Sequence, residues 1–473
     1  MGEWRPEVID ALRGIAGREA VLTAPEDLHV YGYDGTAMVF RAPRAVVDLR
    51  HVEHVAPLLR LANELDFKVI PRGAGSGLSG GSVPVDDAVV MVLSRLDRII
   101  EIDEANLTAM VEPGVITQTL HTEVERRGLF YPPDPGSGKI STLGGNVAEN
   151  SGGLRGLKYG LTKDYVMGLE VVLPNGETIW SGNKCVKDAA GYDLKHLFIG
   201  SEGTLGVFTK ILLKLIPKPQ AKQTMVAYFA SMRAAAEAVS AIIARKVIPA
   251  TVEFLDQVTM ECVEAYAKLG LNTSYGALLL LEVDGHPGQV ADEAETVMAT
   301  CRECGALEIA RAKTDAEALQ MAAARRVAFT ALARVRPTTI LEDATVPRSA
   351  LPAMIDIIEE CARRYDLRIG TFGHAGDGNL HPTFLTDERD HDEIARVEQA
   401  FHDMFDGALA LGGTISGEHG TGTVKMPFLA RQYNDATLTV MRTLKKMLDP
   451  KDVLNPGKVL LPGRRFGEAA AVV

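Results

Sequence analysis

The chain has 473 residues, more than one hydrophobic core usually supports, so two domains are expected. Its net charge of −12 argues against a nucleic-acid or anionic-membrane partner, and an anionic substrate would need local cations. We expect no signal peptide, because the N-terminus has no apolar h-region, and no membrane span, because no run of about 18 apolar residues occurs. Five scattered cysteines indicate a reduced, cytoplasmic protein.

In chain order, residues 44–71 are predicted to form a strand, a helix and a strand, and β-type runs follow at 88–93 and 169–173. Pro217 and Pro219 mark a domain edge. Beyond it, predicted strands alternate with amphipathic helices, which indicates an α+β domain with helices on one face of a sheet. These strands lie at 224–229 and 277–283, and the helices near 231–245, 288–303, 314–334, 349–365 and 389–410.

Glycines of the first half concentrate in three stretches, at 73–81, 136–160 and 191–206. Gly75, Gly77 and Gly80 satisfy G-x-G-x-x-G, but Pro84 and a β-like run follow where a Rossmann fold requires a helix. Successive backbone N–H groups can still bind a phosphate without a helix. A plain turn region is the alternative, and the glycine density favours a ligand-binding loop.

Two histidines flank a turn-forming dipeptide, Asp377-Gly378. A two-residue hairpin there would place His374 directly opposite His381, with Cβ atoms about 5 Å apart, which suits a shared metal ion. Glu418 and His419 add a carboxylate and an imidazole in a second glycine-rich turn. Two histidines and one carboxylate leave coordination positions open, as a catalytic site requires. The alternative is a set of ordinary surface histidines.

Together these motifs resemble the FAD-linked oxidases of the vanillyl-alcohol oxidase superfamily, which carry a PCMH-type FAD domain. Within that superfamily the chain most resembles the glycolate oxidase flavin subunits and the D-lactate and D-2-hydroxyacid dehydrogenases. The resemblance covers residues 38–460. The motifs that carry it are R-G-A-G-S-G-L-S-G at 72–80, T-L-G-G-N-V-A-E-N-S-G-G at 142–153, G-S-E-G-T-L-G at 200–206, G-H-A-G-D-G-N-L-H at 373–381, G-E-H-G at 417–420 and N-P-G-K at 455–458.

The resemblance implies an α+β chain with four parts. A PCMH-type FAD-binding domain of two α+β subdomains is expected at 38–217, with residues 1–37 as a helical extension that packs on it. A ferredoxin-like α+β cap domain for the substrate follows at 218–412. A C-terminal helical segment, 413–473, is expected to return to the flavin.

The resemblance also implies the site residues. FAD is expected to be non-covalent, because residues 71–84 contain no His or Cys for a tether. A divalent metal (Zn, Mn or Fe) is expected on His374, His381 and Glu418, with His419 as the base. Arg325 would bind the substrate carboxylate, although alone it reads as a solvated helix residue, and Asn379 would contact the substrate or the metal shell. The expected FAD contacts are Arg72, Gly73, Ala74, Gly75, Ser76, Gly77, Leu78, Ser79, Pro135, Gly136, Thr142, Gly145, Asn146, Ser151, Gly152, Gly153, Tyr159, Glu202, Gly203, Val207 and Asn455.

The implied activity is oxidation of a small D-2-hydroxy acid, such as glycolate or D-lactate, to the 2-oxo acid. Hydride would pass to the flavin and electrons onward to an acceptor other than O2. That acceptor is expected to be an iron–sulfur partner subunit, a quinone or a cytochrome, and any contact with the inner membrane would be peripheral, through the partner. The alternatives are a flavoenzyme of the same fold that acts without metal, a non-catalytic FAD-binding subunit, and a metal-dependent hydrolase without flavin.

Overall fold

The computed structural model describes residues 4–460. The first half of the chain contains two larger sheets with helices packed against them, and a third sheet of two short strands. Its strands are β1 (Val21–Leu22), β2 (Ala45–Asp48), β3 (Lys68–Arg72), β4 (Ala88–Val92), β5 (Ile99–Asp103), β6 (Thr108–Val111), β7 (Leu129–Phe130), β8 (Val166–Val172), β9 (Thr178–Gly182), β10 (Val207–Lys214) and β11 (Ile216–Pro217). Its helices are α1 (Pro6–Ala16), α2 (Pro25–Val30), α3 (Val55–Leu65), α4 (Thr117–Glu125), α5 (Leu143–Glu149), α6 (Gly156–Tyr159) and α7 (Leu194–Phe198).

The first sheet has the order β1-β2-β4-β3, with β2, β4 and β3 parallel. Alternate residues of β4 enter different cores, because Val89 packs towards α3 while Val90 packs on the opposite face. Burial on both faces explains why this strand is almost continuously apolar. The predicted strand–helix–strand over residues 44–71 is confirmed. Residues 1–37 were expected to be a helical extension. That expectation was only partly right, because this stretch also contains β1, which pairs antiparallel with β2 at the sheet edge.

The second sheet is antiparallel, with the order β5-β6-β10-β8-β9. Helices α4 and α5 cover it through Leu120, Val124 and Leu143. Within the first sheet, the glycine loop at 73–84 follows β3 and continues through turns into β4. The exclusion of a Rossmann site is therefore confirmed, since no helix opens at the third glycine.

The second half of the chain forms one large sheet with the order β15-β12-β14-β13-β18-β19-β16, and β17 pairs with β19. Its strands are β12 (Ala221–Phe229), β13 (Thr251–Asp256), β14 (Ala277–Gly285), β15 (Glu308–Arg311), β16 (Thr338–Leu341), β17 (Ala344–Thr345), β18 (Ile369–His374) and β19 (Asn379–Thr386). Its helices are α8 (Met232–Ala244), α9 (Gln257–Ala267), α10 (Pro287–Glu303), α11 (Asp315–Leu332), α12 (Leu351–Arg364), α13 (His391–Ala410), α14 (Leu429–Gln432) and α15 (Asp435–Leu448). The predicted strands and the five predicted helices are present.

Helices cover both faces of this sheet, so the prediction of helices on one face was wrong. Along β12, Met225 packs towards α8 and α10, whereas the next residue, Val226, packs towards α9 and α11. Both sides of the strand are apolar and therefore both need cover. Within residues 4–460, no helix has the length and apolar content needed to cross a bilayer.

The C-terminal segment returns to the first sheet. Leu454 forms a parallel bridge with Val69 of β3, and the Asn455 N–H donates to the Val69 carbonyl at 2.8 Å. The Asn455 side chain then donates to the carbonyls of Gly81 and Glu202. The chain thus places a late residue against both the glycine loop and the 200–206 turn. Residues 461–473 of the predicted C-terminal segment lie outside the described residues.

Candidate active site

A cavity of about 1040 Å³ runs from the glycine loop of the first half to the histidines of the large sheet. This volume lies at the upper end of the range for ligand pockets, which suits a large cofactor together with a small substrate. The predicted FAD contacts on its wall are Arg72, Gly73, Ala74, Gly75, Ser76, Gly77, Leu78, Pro135, Gly136, Thr142, Gly145, Asn146, Ser151, Glu202, Gly203 and Val207. Arg325, His374, His381, Glu418 and His419 line the other end.

The remaining predicted FAD contacts lie behind the cavity wall. Ser79 is fully buried, and a Cβ on Gly152 would lie 2.6 Å from Glu418 Oε2. A Cβ on Gly153 would meet the carbonyl of Asp134 at 2.1 Å. Tyr159 instead connects the two halves of the chain, because its hydroxyl donates to Asp284 at 2.8 Å.

The glycine loop fits a ligand that approaches the backbone closely. Gly75 has φ +68°, and a side chain on Gly73 would collide with the Thr142 hydroxyl at 2.4 Å. Around Gly81, three buried polar atoms have no hydrogen-bond partner within the described chain: Ser79 Oγ, Glu149 Oε2 and Asn455 Oδ1. Buried polar atoms normally find partners, and of these three residues Glu149 lies on the cavity wall, so its unpartnered oxygen indicates a polar ligand at this end of the cavity. The residues therefore fit a phosphorylated, polar-edged cofactor such as FAD.

At the opposite end, two imidazoles converge on a single carboxylate oxygen. His374 Nε2 lies 3.1 Å and His381 Nε2 lies 3.4 Å from Glu418 Oε1. The three groups offer ligand atoms that all lie within 4.8 Å of one another. Two nitrogens and one oxygen at this spacing fit a divalent transition metal with open positions.

The hairpin register differs from the sequence prediction. His374 pairs with Asn379, and His381 pairs with Phe372, so four residues rather than two form the turn. The two histidines are diagonal neighbours on one face, with ring centroids 5.2 Å apart. Diagonal neighbours across a ladder still contact each other when their side chains are long. The expected convergence is present, but the directly opposite pairing was wrong.

The charges of the surrounding carboxylates favour a bound cation at the histidine end of the cavity. Burial opposes protonation of His374, but Glu253 and Glu418 outweigh it and hold the pKa of His374 well above its usual value. Burial alone would raise the pKa of Glu418, but the neighbouring His374 outweighs it and holds that pKa well below its usual value. Two carboxylates therefore stabilise positive charge in a buried place, which a bound divalent ion would provide.

Glu253 is a site residue that the sequence prediction missed. Its Oε1 lies 2.7 Å from His374 Nδ1, and its Oε2 accepts from Arg325 Nε. Arg325 is 8% exposed, and its guanidinium lies over the Phe372 ring at 4.7 Å. The reading of Arg325 as a solvated helix residue was therefore wrong, because this arginine is buried on the cavity wall. A signal for Glu253 was present, since this acidic residue interrupts the apolar residues Val252, Phe254 and Leu255 of β13.

Asp343, which was also missed, organises the loop that carries Glu418. Its Oδ2 accepts the backbone N–H groups of Gly417, Glu418 and His419 at 2.8, 2.9 and 3.0 Å. Its Oδ1 accepts from the Asn379 amide, so Asn379 lies behind the site rather than on the cavity wall. Burial opposes ionisation of Asp343, yet Lys425 and His419 hold its pKa well below the usual value.

The imidazole of His419 stacks on that of His381, with centroids 4.9 Å apart and planes 18° from parallel. Burial lowers the pKa of His419 to about 4, although Asp343 opposes the shift. His419 is therefore neutral near pH 7 and can accept a proton. Asp343, His381 and His419 form a second cluster of possible ligands, but the Asp343 oxygens already accept from five donors. The first cluster is thus the better metal site.

Fold and site together define a two-domain flavoprotein oxidoreductase: a backbone-lined cofactor cavity, closed by a large sheet that carries imidazole and carboxylate groups. Residues 43–182 match the FAD binding domain family, and residues 218–459 match the FAD linked oxidases, C-terminal domain. Glycolate oxidase subunit GlcD of Bacillus subtilis (strain 168) is 52% identical over 423 residues, 89% of this chain and 90% of that protein. The chain belongs to the FAD-linked oxidases, as its motifs indicated.

Two further comparisons agree. D-lactate dehydrogenase of Anaerostipes hadrus is 34% identical over 456 residues, covering 94% of this chain and 95% of that protein. The solved structure of p-cresol methylhydroxylase with substrate bound has a TM-score of 0.79 and 17% identity, with 96% of each chain covered. At that identity the structural likeness shows a shared fold and nothing about activity.

Proposed function

We propose that this protein oxidises a small D-2-hydroxy acid, glycolate or D-lactate, to the 2-oxo acid with non-covalent FAD and a divalent metal ion. The observation that carries this proposal is the convergence of His374, His381 and Glu418 within 4.8 Å at one end of a cavity whose other end is the glycine loop. The relatives named glycolate oxidase subunit and D-lactate dehydrogenase support the substrate class. Zn, Mn and Fe all suit this donor set.

Each cofactor supplies one kind of chemistry. FAD, held by the glycine-loop end of the cavity, would supply the hydride acceptor. A divalent ion, held by His374, His381 and Glu418, would supply a Lewis acid that lowers the pKa of the substrate hydroxyl.

His419 serves as the base in this reaction. It lines the cavity beside His381 and is neutral near pH 7, so it can take the hydroxyl proton. Its Nδ1 lies 3.9 Å from Asp343 Oδ2. The Asp343 carboxylate therefore stabilises the imidazolium that proton uptake creates.

Arg325 binds the substrate carboxylate. Its Nε is already paired with Glu253, and Phe372 covers one face of the guanidinium. The terminal nitrogens are then the groups left for a bidentate pair with a carboxylate. Arg325 and Phe372 both line the cavity, so this pair would form beside the metal ligand His374.

Anaerobic mixing tests the activity directly. Glycolate and D-lactate should bleach the flavin absorbance, L-lactate should bleach it slowly, and prior treatment with a chelator should suppress bleaching. A flavoprotein that no hydroxy acid bleaches would be a non-catalytic FAD-binding subunit. Bleaching that is unchanged after the metal has been removed would support the metal-independent alternative, and a colourless protein would support a hydrolase.

The electrons leave through a partner. The described cysteines are all free, and none joins a cluster of possible metal ligands between residues 4 and 460. An iron–sulfur subunit, a quinone or a cytochrome would therefore reoxidise the flavin, and the word "subunit" in the name of the Bacillus subtilis relative supports a protein partner. Slow reoxidation by O2, combined with fast reoxidation by an artificial electron carrier, is the expected result. The cytoplasmic location stays a prediction.

A further inference from the structure

Glu253 occupies an unusual position for a carboxylate. It lies in the middle of β13 with no solvent exposure, between residues such as Val252 and Phe254 that enter the apolar cores. A buried carboxylate is costly unless it is paired and hydrogen-bonded. Glu253 has two such partners, since its two oxygens bond separately to His374 and Arg325.

We propose that Glu253 is a positioning residue that joins the metal ligand His374 and the carboxylate-binding Arg325 into one rigid unit. The role rests on the proposed function and deepens it. A 2-hydroxy acid has its hydroxyl and its carboxylate on neighbouring carbons. Both groups can be held together only if the metal and the guanidinium keep a fixed separation, which Glu253 sets.

The first part of the positioning role is to orient the His374 ring. With Nδ1 at 2.7 Å from Glu253 Oε1, the proton of the neutral ring is held at Nδ1. Nε2, which lies 3.1 Å from Glu418 Oε1, is then the ring nitrogen that would coordinate a metal ion bound in the cluster. Carboxylates that orient a ligand histidine in this manner usually raise metal affinity by about 10- to 100-fold.

The second part of the positioning role is to fix the plane of the Arg325 guanidinium. The Nε contact with Glu253 and the Phe372 face at 4.7 Å together restrict rotation of the guanidinium. Arg325 comes from α11, whereas Phe372 and His374 come from β18. Glu253 on β13 is thus the group at which a helix and two neighbouring strands meet around the substrate end of the cavity.

Glu253→Gln tests the role. The amide keeps the shape of the side chain, but its N–H₂ group must face either His374 Nδ1 or Arg325 Nε, and each of these nitrogens is itself a donor. We expect the affinity for Zn²⁺, measured by chelator competition, to fall about 10- to 100-fold. Oxalate binding, measured by perturbation of the flavin spectrum in oxidised, non-reacting protein, should weaken about tenfold or more. The FAD content should stay at the wild-type level, because Glu253 is not on the glycine-loop end of the cavity.

A matched control is Glu282→Gln. This carboxylate lies on the neighbouring strand β14 and lines the same cavity, but it bonds Thr224 at 2.7 Å and pairs with Lys222 at 3.4 Å. Its replacement should leave Zn²⁺ affinity unchanged. Glu253→Asp is the second variant should Glu253→Gln fail to fold, because it keeps the charge but is too short to reach both partners.

The outcomes separate the two proposals. If glycolate bleaches the wild type but a folded Glu253 variant keeps wild-type Zn²⁺ and oxalate affinities, the positioning role is wrong and the proposed function stands. If no hydroxy acid bleaches the wild type while the Glu253 variant loses Zn²⁺, the site is a metal site with another activity. If the wild-type protein binds none of Zn²⁺, Mn²⁺ and Fe²⁺, the positioning role and the metal-assisted reaction both fail.

Discussion

Replacing Asp343 with asparagine should loosen the loop that carries Glu418 and His419, while leaving the sheets of the first half of the chain intact. The Asp343 carboxylate has no solvent exposure, and one of its oxygens accepts three consecutive backbone N–H groups, from Gly417 to His419. A hydrogen bond to a charged group contributes about 1.5–3 kcal/mol, and a neutral one about 0.5–1.5 kcal/mol. An amide oxygen in place of the carboxylate therefore costs about 1 kcal/mol per bond, or roughly 3 kcal/mol for the loop.

Amide hydrogen exchange measures this loss where it occurs. Because about 1.4 kcal/mol corresponds to a tenfold change, the amides of residues 417–419 should exchange about a hundredfold faster in Asp343→Asn. Exchange in β5–β10 should not change. Asp356→Asn is the control, since this half-exposed carboxylate pairs with Arg233 on the surface and its loss should cost under about 0.5 kcal/mol. Exchange of the three loop amides within about threefold of wild type would refute the assignment of Asp343 as the loop anchor.

Three further changes test other parts of the molecule. His381→Ala should reduce bound metal by at least about tenfold and abolish flavin bleaching together, and mass spectrometry that finds unchanged metal would remove it from the ligand set. Gly75→Val should yield protein without FAD, seen as a lost flavin band, because Gly75 has φ +68° and a Cβ would lie 2.1 Å from Arg72; Gly14→Ala, whose Cβ meets nothing within 4 Å, should keep FAD. Burial raises the pKa of Glu342 to about 7, so ionisation of Glu342 is disfavoured in the folded state. The free energy of unfolding should therefore fall by about 3 kcal/mol as pH rises from about 4.5 to about 7. Glu342→Gln should lack this fall in thermal unfolding measured across the range, and an equal fall in wild type and variant would contradict the prediction.

The sequence predicted the elements of the fold better than their arrangement. Local periodicity was enough to place the strand–helix–strand at 44–71 and the helices of the second half. It could not show that helices cover both faces of the large sheet, because a short apolar strand such as 224–229 fits one-sided or two-sided burial until its neighbours are known. The hairpin register failed for a similar reason. In the folded chain Gly378 packs so closely on the Val346 carbonyl that a Cβ would lie 2.1 Å from it, and this tertiary contact overrides the local preference of Asp377-Gly378.

The candidate site was predicted where its residues stand in short motifs, and missed where they do not. His374, His381 and Glu418 are found from two glycine-rich turns. Glu253 is 121 residues from His374, and Asp343 is 75 residues from Glu418, so no local pattern links them. What the sequence does offer is an acidic residue within an apolar strand, which must find a partner when buried. That rule indicates that a partner exists but not which residue it is.

The contact between Asn455 and Gly81 joins residues that are 374 positions apart. During synthesis, the glycine loop leaves the ribosome long before the segment that closes against it has been made. A nascent chain that stops short of Val453 lacks both the added pairing along β3 and the amide that bridges Gly81 to Glu202. Closure of the glycine loop by the C-terminal segment is therefore a late step in the folding of this polypeptide.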